Sequence, residues 1–176
     1  MTSTAFCYIL LSEANEQREK YMTRIMFICH GNICRSPMVE FIMKELVWRE
    51  EIESEFYIAS CAVSTEEIGN GIYPPAKSEL RRQGIPFGEH YAVQLTRADG
   101  EKYDLFIVMD TGNLRRARDI LGSSCEGKLH KLMEFAGSGR DVSDPWYSRR
   151  LDTAFDDIMQ GCEGLLGQLK KEVGSG

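Results

Sequence analysis

The sequence predicts an α/β fold: a three-layer sandwich in which a four-stranded parallel sheet is flanked by helices. Short apolar runs, typical of buried strands, alternate along the chain with segments whose apolar residues recur at helical spacing. Glycine and proline residues stand at several boundaries between the two patterns. This alternation indicates successive parallel strands joined by helices.

Four apolar segments are the predicted strands. They are "RIMFIC" (24–29), "EFYIASCA" (55–62), "DLFIVM" (104–109) and "KLHKLMEF" (128–135). Each is short enough for a buried strand and rich in aromatic, β-branched or other apolar residues.

The helices follow from their ends and their apolar stripes. Pro37 stands near the start of the first helix, and Gly84 and Gly122 end the next two, "PPAKSELRRQG" and "GNLRRARDILG". A final long helix is predicted from apolar residues at spacings of three and four: Leu151, Phe155, Ile158, Cys162, Leu165 and Leu169. Gly161, Gly164 and Gly167 weaken that pattern.

The size and charge of the chain restrict its function. Its 176 residues, 43% of them hydrophobic, fit a single domain, which we expect over residues 23–172 after an N-terminal extension, residues 1–22. The formal charge of −6 gives no general attraction to nucleic acid or to anionic membranes. We therefore expect neither as a partner, and any anion site must be a local pocket.

Cysteine usage indicates the compartment. The six cysteines lack short regular spacing, and the apolar stretch "AFCYILL" (5–11) has neither a preceding basic residue nor a small-residue cleavage site. We therefore expect free thiols and a cytoplasmic protein.

The segment "CHGNICRS" (29–36) is the candidate functional loop, because it joins the first predicted strand to the first predicted helix. Open α/β sheets bind ligands beyond the carboxyl ends of their strands, and amides that curl into a helix N-terminus suit a phosphate-sized oxyanion. Arg35 adds a planar fork that grips two oxygens, and the positive field favours the nucleophilic thiolate of Cys29. Ser36 can cap the helix beginning at Pro37, hydrogen-bond to that thiolate, or do both in turn. The expected phosphate-binding residues are His30, Gly31, Asn32, Ile33, Cys34, Arg35 and Ser36.

Four motifs occur in the same order as in a known family. They are "CHGNICRSP" (29–37), "SCAVSTEEIGN" (60–70), "IVMDTGNL" (107–114) and "SDPWY" (143–147). Over roughly residues 24–170 the chain resembles the low-molecular-weight protein tyrosine phosphatases, in particular bacterial members. The resemblance implies the phosphotyrosine phosphatase I-like fold, a phosphocysteine intermediate, no cofactor, and phosphotyrosine proteins or small aryl phosphates as substrates.

The resemblance also implies roles for individual residues. Cys29 is the expected nucleophile, Arg35 the phosphate-binding cation, and Asp144 the general acid that protonates the leaving oxygen and later activates water. The implied support network comprises Asn32, Ser36, Ser60, His90 and Asp110, and the match of His90 requires a one-residue insertion in "GIPFGEH".

Cys34 is the expected redox partner of Cys29. In the family that this chain resembles, the two thiols can form a disulfide that protects the nucleophile from deeper oxidation. A zinc site formed by Cys29, His30 and Cys34 is less favoured, because the C-x4-C spacing lacks a second ligand pair. We therefore expect no metal.

The expected substrate wall consists of Ile33, Glu66, Trp146 and Tyr147. Ile33 offers apolar surface for an aromatic ring, whereas related arginine phosphatases carry threonine there. Glu66 replaces an aromatic residue of vertebrate relatives, so we expect a more acidic rim that disfavours acidic phosphopeptides.

Three alternative functions remain open at the level of sequence. A protein arginine phosphatase would share this scaffold. A thiol-dependent arsenate reductase would need relay cysteines after the third strand, and none occurs there before Cys125. A non-catalytic phosphate-binding or redox module is disfavoured because Cys29, Arg35 and Asp144 occur together. We expect a monomer or weak dimer.

Overall fold

The structure is a computed structural model that describes residues 22–173. The expected N-terminal extension, apart from Met22, lies outside this region. Four strands and five α-helices alternate along the described chain: β1 Thr23–Cys29, α1 Arg35–Arg49, β2 Phe56–Ala62, α2 Pro74–Arg82, β3 Leu105–Val108, α3 Thr111–Leu121, β4 Leu129–Lys131, α4 Pro145–Ser148 and α5 Leu151–Val173.

All four strands are parallel and form one sheet in the order β2-β1-β3-β4. Cys29 lies opposite Ala62, and Ile28 lies opposite both Cys61 and Val108. The carboxyl ends of β1, β2 and β3 therefore meet at one edge of the sheet. The predicted α/β class and four-stranded parallel sheet are confirmed.

Helices cover both faces of the sheet and complete the three layers. On one face, α1, α2 and α5 bury an apolar core that includes Phe27, Ile42, Leu80 and Ile158. On the other face, α3 packs over a smaller core that includes Phe106 and Leu121. Within residues 22–173, no helix is both long enough and apolar enough to cross a membrane.

The fourth predicted strand, 128–135, is too long. Pairing with β3 ends at Lys131, and residues 132–136 form a 3-10 helix. Leu132 and Met133 are almost completely buried beneath α5. The second half of this apolar run is therefore buried by packing against a helix and not by strand pairing. A short apolar run in the sequence does not distinguish between these two kinds of burial.

The glycines of α5 explain how this helix packs so closely. A methyl group on Gly164 would lie 2.1 Å from the backbone oxygen of Phe135, and one on Gly161 would lie 2.5 Å from Cγ of Leu132. A methyl group on Gly167 would meet no described atom within 4 Å. Two of the three glycines that weaken the helical pattern thus allow close contact with residues 132–136.

We expect Gly164→Ala and Gly167→Ala to change stability in opposite directions. Alanine favours a helix by up to about 1 kcal/mol over glycine, so Gly167→Ala should raise the free energy of unfolding. At Gly164 the clash with immobile backbone should outweigh this gain and lower the free energy of unfolding by about 1–3 kcal/mol. Urea denaturation of both variants measures the difference, and equal stabilisation would contradict the close packing.

Candidate active site

The loop between β1 and α1 surrounds the sulfur of Cys29. This residue ends β1 and is 3% exposed. Its Sγ accepts a hydrogen bond from the backbone N–H of Asn32 at 3.2 Å and lies 3.0 Å from Oγ of Ser36. Both groups can donate to a thiolate, so the loop is built to hold negative charge on this sulfur.

Of the alternatives that the sequence left open for Ser36, the structure shows the contact with the Cys29 sulfur. Helix α1 begins at Arg35, two residues before Pro37, and Cys34 at its N-cap makes no side-chain capping bond. Oγ of Ser36 instead lies beside the Cys29 sulfur and accepts a hydrogen bond from Nδ2 of Asn32 at 2.9 Å. The earlier helix start places Ser36 inside the first turn, where it cannot act as the cap.

Asn32 holds the loop in its observed shape. It is completely buried and has a left-handed backbone, with φ of 57°. Its Nδ2 donates to Oγ of Ser36 and to Oγ of Ser60 at 2.8 Å, and its Oδ1 accepts from the backbone N–H of Val93 at 3.1 Å. The side chain of Asn32 is therefore held by hydrogen bonds to three separate segments. Asparagine is one of the few residues other than glycine that adopt a left-handed backbone at modest cost.

His90 and Glu40 continue this network. Nε2 of His90 donates to the backbone oxygen of Asn32 at 2.8 Å. Ser60 donates its hydroxyl to Oε2 of Glu40 at 2.5 Å, and the same oxygen lies 3.9 Å from Nδ1 of His90. Lys44 donates to the other carboxylate oxygen of Glu40.

Sequence reasoning missed Glu40. The available signal was its position four residues after Ser36, which places both side chains on one face of α1. Helix positions 38–43 are otherwise apolar and buried, so a carboxylate among them requires polar partners.

Arg35 joins three segments at the edge of the sheet. Its Nη1 donates to Asp110 at 2.7 Å and its Nη2 donates to Asp144 at 2.8 Å, while its own side chain is almost fully buried. Burial by itself would lower the pKa of the guanidinium, but negative charge on Cys29, Asp144 and Asp110 outweighs it and raises the pKa. The guanidinium is therefore permanently charged, and it interacts electrostatically with Cys29.

Both aspartates are also held by their backbone surroundings. The second carboxylate oxygen of Asp110 accepts from the backbone N–H of Asn113 at 2.6 Å and caps α3. That of Asp144 accepts from the backbone N–H of Trp146 at 3.0 Å and caps α4. The "SDPWY" motif thus forms a short helix that presents Asp144 toward Arg35.

Cys34 lies beside this charge cluster and is half-buried. Burial raises the pKa of its thiol to about 12, with negative charge on Cys29 acting in the same direction and Arg35 opposing it. Cys34 is therefore a neutral thiol near pH 7.

The expected substrate wall includes both half-buried and exposed side chains. Ile33 is half-buried, and Trp146 and Tyr147 are 72% and 85% exposed. Tyr73, which sequence reasoning missed, lies edge-on to Trp146 with ring centroids 6.3 Å apart. The carboxylate of Glu66, the fourth expected wall residue, lies 2.7 Å from Nε2 of His30.

We also searched residues 22–173 for groups of side chains that could bind a metal ion. Across residues 22–173, no three or more His, Cys, Asp or Glu side chains are grouped so that they could hold a metal ion.

A buried thiol within a loop of inward-facing donors, next to a buried arginine and an aspartate, defines the class of site that combines oxyanion binding with a nucleophilic cysteine. The sequence model for low molecular weight phosphotyrosine protein phosphatase matches residues 24–175. The chain belongs to this family.

Individual relatives agree with this assignment. The low molecular weight protein-tyrosine-phosphatase YfkJ of Bacillus subtilis is 32% identical over 153 residues, covering 86% of this chain and 98% of YfkJ. Its crystal structure superposes with a TM-score of 0.82, covering 86% of this chain and 96% of the solved chain. The human low molecular weight phosphotyrosine protein phosphatase is 32% identical, covering 82% of this chain and 91% of the human protein. A Drosophila arginine phosphatase structure has a TM-score of 0.76 at 25% identity, with coverage of 83% and 97%.

We expect Asn32→Ala to lower both stability and turnover. It removes three buried hydrogen bonds and leaves a left-handed backbone on alanine, so the free energy of unfolding should fall by about 2–4 kcal/mol. The matched variant Asn32→Gly relieves the backbone strain but restores no hydrogen bond, so it should recover about 1 kcal/mol of stability and little activity. Urea denaturation and kcat for p-nitrophenyl phosphate test this. Full recovery in Asn32→Gly would mean that backbone conformation alone matters.

Proposed function

We propose that this protein hydrolyses phosphotyrosine and aryl phosphates through a phosphocysteine intermediate. The observation that carries the proposal is the position of the Cys29 sulfur. It lies at the end of β1 and accepts a hydrogen bond from the backbone N–H of Asn32, just before Arg35 begins α1. Asp144 reaches the same site through Arg35. Cys29, Arg35 and Asp144, which we propose as nucleophile, phosphate-binding cation and acid, lie at one edge of the sheet.

In the first step, the Cys29 thiolate attacks phosphorus and a sulfur–phosphorus bond forms. The bond from phosphorus to the tyrosyl oxygen breaks, and protonated Asp144 gives its proton to that oxygen so that it leaves as a neutral phenol. Loop amides and Arg35 stabilise the negative charge on the transferring phosphoryl group. The phosphate must compete with Asp110 and Asp144 for the guanidinium that both carboxylates contact.

In the second step, a water molecule attacks phosphorus from the side that the phenol has left. Asp144, now a carboxylate, takes a proton from this water, and the sulfur–phosphorus bond breaks. Inorganic phosphate forms and the electron pair returns to Cys29. The hydroxyl of Ser36, 3.0 Å from the sulfur, can donate a hydrogen bond to the departing thiolate.

Several narrower features belong to this proposal. The family implies a phosphoprotein or phosphate-ester substrate, and the aromatic side chains of Tyr73, Trp146 and Tyr147 favour a phenyl ring. The reaction needs Cys29 as a free thiol, which fits a reducing compartment such as the cytoplasm. We retain residues 23–172 as the catalytic domain, Cys34 as the redox partner of Cys29, and a monomer or weak dimer as the working state.

A protein arginine phosphatase is the second candidate function. The similarity of a Drosophila arginine phosphatase structure favours it. The side chain at position 33 opposes it, because isoleucine has no hydroxyl to position a guanidinium group or a water molecule. Both candidate functions would use the same phosphocysteine chemistry and differ only in the substrate.

The first test changes the nucleophile and the acid. Cys29→Ser should abolish turnover while vanadate binding survives, because no described group is placed to activate a serine hydroxyl as a nucleophile. Asp144→Ala should slow phosphotyrosine hydrolysis by about 10²–10⁴-fold but slow substrates with good leaving groups less. Steady-state kinetics with phosphotyrosine and p-nitrophenyl phosphate measure both effects.

The matched variant Asp144→Asn separates chemistry from structure. Its amide oxygen can still accept the Trp146 hydrogen bond that caps α4, but it cannot deliver the proton. We expect it to be as slow as Asp144→Ala. Activity near wild type would assign Asp144 a structural role only, and near-normal turnover by Cys29→Ser would remove the phosphocysteine mechanism.

The second test compares substrates. Wild type should have a higher kcat/KM for a phosphotyrosine peptide than for a matched phosphoarginine peptide. Ile33→Thr should shift this ratio toward phosphoarginine, and Ile33→Val, which has the same shape as threonine without the hydroxyl, should not. A wild-type preference for phosphoarginine would overturn the tyrosine assignment and leave the phosphocysteine chemistry in place.

A further inference from the structure

Three charged or polar side chains from separate segments meet beside the nucleophile loop. His30 directly follows Cys29, Glu66 lies in the segment after β2, and Arg116 projects from α3. Nε2 of His30 lies 2.7 Å from Oε2 of Glu66, and Nδ1 of His30 lies 3.4 Å from Nη1 of Arg116. These three residues form a charged rim at the carboxyl edge of the sheet.

The contacts of the charged rim fix the direction of its hydrogen bonds. A guanidinium can only donate, so Nδ1 of His30 must accept from Arg116 and carry no proton. The proton of the neutral imidazole is then on Nε2, which donates to the carboxylate of Glu66. The rim therefore runs in one direction, from Arg116 through His30 to Glu66.

The backbone around the charged rim is held against the nucleophile loop. The N–H of Ser64 donates to the backbone oxygen of His30 at 3.0 Å. Glu67 packs over Gly31 so closely that a methyl group there would lie 3.0 Å from its Cγ. The rim therefore lies directly beside the loop that we propose binds phosphate, within reach of residues that flank a phosphotyrosine in a peptide substrate.

Glu66 and Arg116 both contact the neutral imidazole of His30, which cancels neither charge. Glu66 receives the hydrogen bond of His30, whereas Arg116 forms no ion pair with any carboxylate in the described part of the chain. Arg116 is exposed and has four further N–H groups besides the one that meets His30. Glu66 keeps its negative charge, so the rim carries one carboxylate and one guanidinium. An acidic side chain of a substrate that reaches Arg116 therefore meets a guanidinium that no carboxylate of residues 22–173 neutralises.

We propose that Arg116 is a specificity-determining residue that pairs with an acidic side chain flanking the phosphotyrosine of a peptide substrate. The inference rests on the proposed phosphotyrosine phosphatase function. His30 acts as a positioning residue, because it holds the guanidinium beside the site. A small aryl phosphate has no flanking residue, so its hydrolysis does not involve Arg116.

The test compares matched phosphotyrosine peptides that carry glutamate, glutamine or lysine beside the phosphorylated residue. Wild type should show a kcat/KM about two- to five-fold higher for the glutamate peptide than for the glutamine peptide, the range of one exposed ion pair. Arg116→Ala should remove this preference and Arg116→Glu should reverse it in favour of the lysine peptide. The preference should shrink at high salt.

Arg115→Ala is the matched control, because Arg115 is the preceding exposed arginine on α3 and points about 100° away around the helix. It removes the same charge and should leave the peptide preference unchanged. Equal effects of Arg115→Ala and Arg116→Ala would overturn the proposal in favour of general electrostatics. A wild-type preference for the glutamine or lysine peptide would also overturn it.

Two further measurements separate this inference from the proposed function. Turnover of p-nitrophenyl phosphate reports the phosphatase reaction by itself, and its absence would count against the proposed function. Calorimetric binding of the same peptides to Cys29→Ser, with and without Arg116→Ala, tests the preference without turnover. A glutamate preference that disappears with Arg116→Ala supports the inference, and equal affinities for all three peptides overturn it.

Discussion

The hydrogen bonds of the Asn32 side chain are the constraint on which the site depends. A left-handed backbone at a residue with a side chain is costly, and here it is compensated by three buried hydrogen bonds to Ser36, Ser60 and Val93. The same backbone conformation directs the amide of Asn32 at the sulfur of Cys29. Asn32 therefore both stabilises the loop and donates a backbone hydrogen bond to the sulfur of Cys29.

The parallel sheet determines where the remaining groups come from. Because β1, β2 and β3 end at one edge, Cys29, Ser60 and Asp110 are brought together although they lie far apart in sequence. Arg35 then links the loop after β1 to the carboxylates of Asp110 and Asp144. Desolvation of one guanidinium is offset by two carboxylates, and this pairing holds the proposed acid, Asp144, at the same edge of the sheet as Cys29.

Asp144 depends on packing that lies outside the site. The segment before α4 is tied to α5, where buried Asp157 accepts hydrogen bonds from Arg140 and from the backbone N–H of Ser143. Helix α5 is in turn seated on residues 132–136 by the absence of side chains at Gly161 and Gly164. Glycines that lower the helical propensity of α5 thus let it support the loop that carries the proposed acid.

The sequence by itself determined the succession of strands and main helices along the chain, because the spacing of apolar residues indicates which faces are buried. The order of the motifs indicated the family. The sequence also indicated the segment from Cys29 to Ser36 as the candidate functional loop, since a cysteine and an arginine between a predicted strand and a predicted helix favour an oxyanion site. Only the tertiary structure decided the bond of Ser36 to sulfur, the end of β4 at Lys131, and the presence of Glu40 in the network. It also paired Glu66 with His30 and brought Arg116 to the rim. These depend on contacts between residues distant in sequence, and local propensity carries no information about which distant partner a polar side chain will meet.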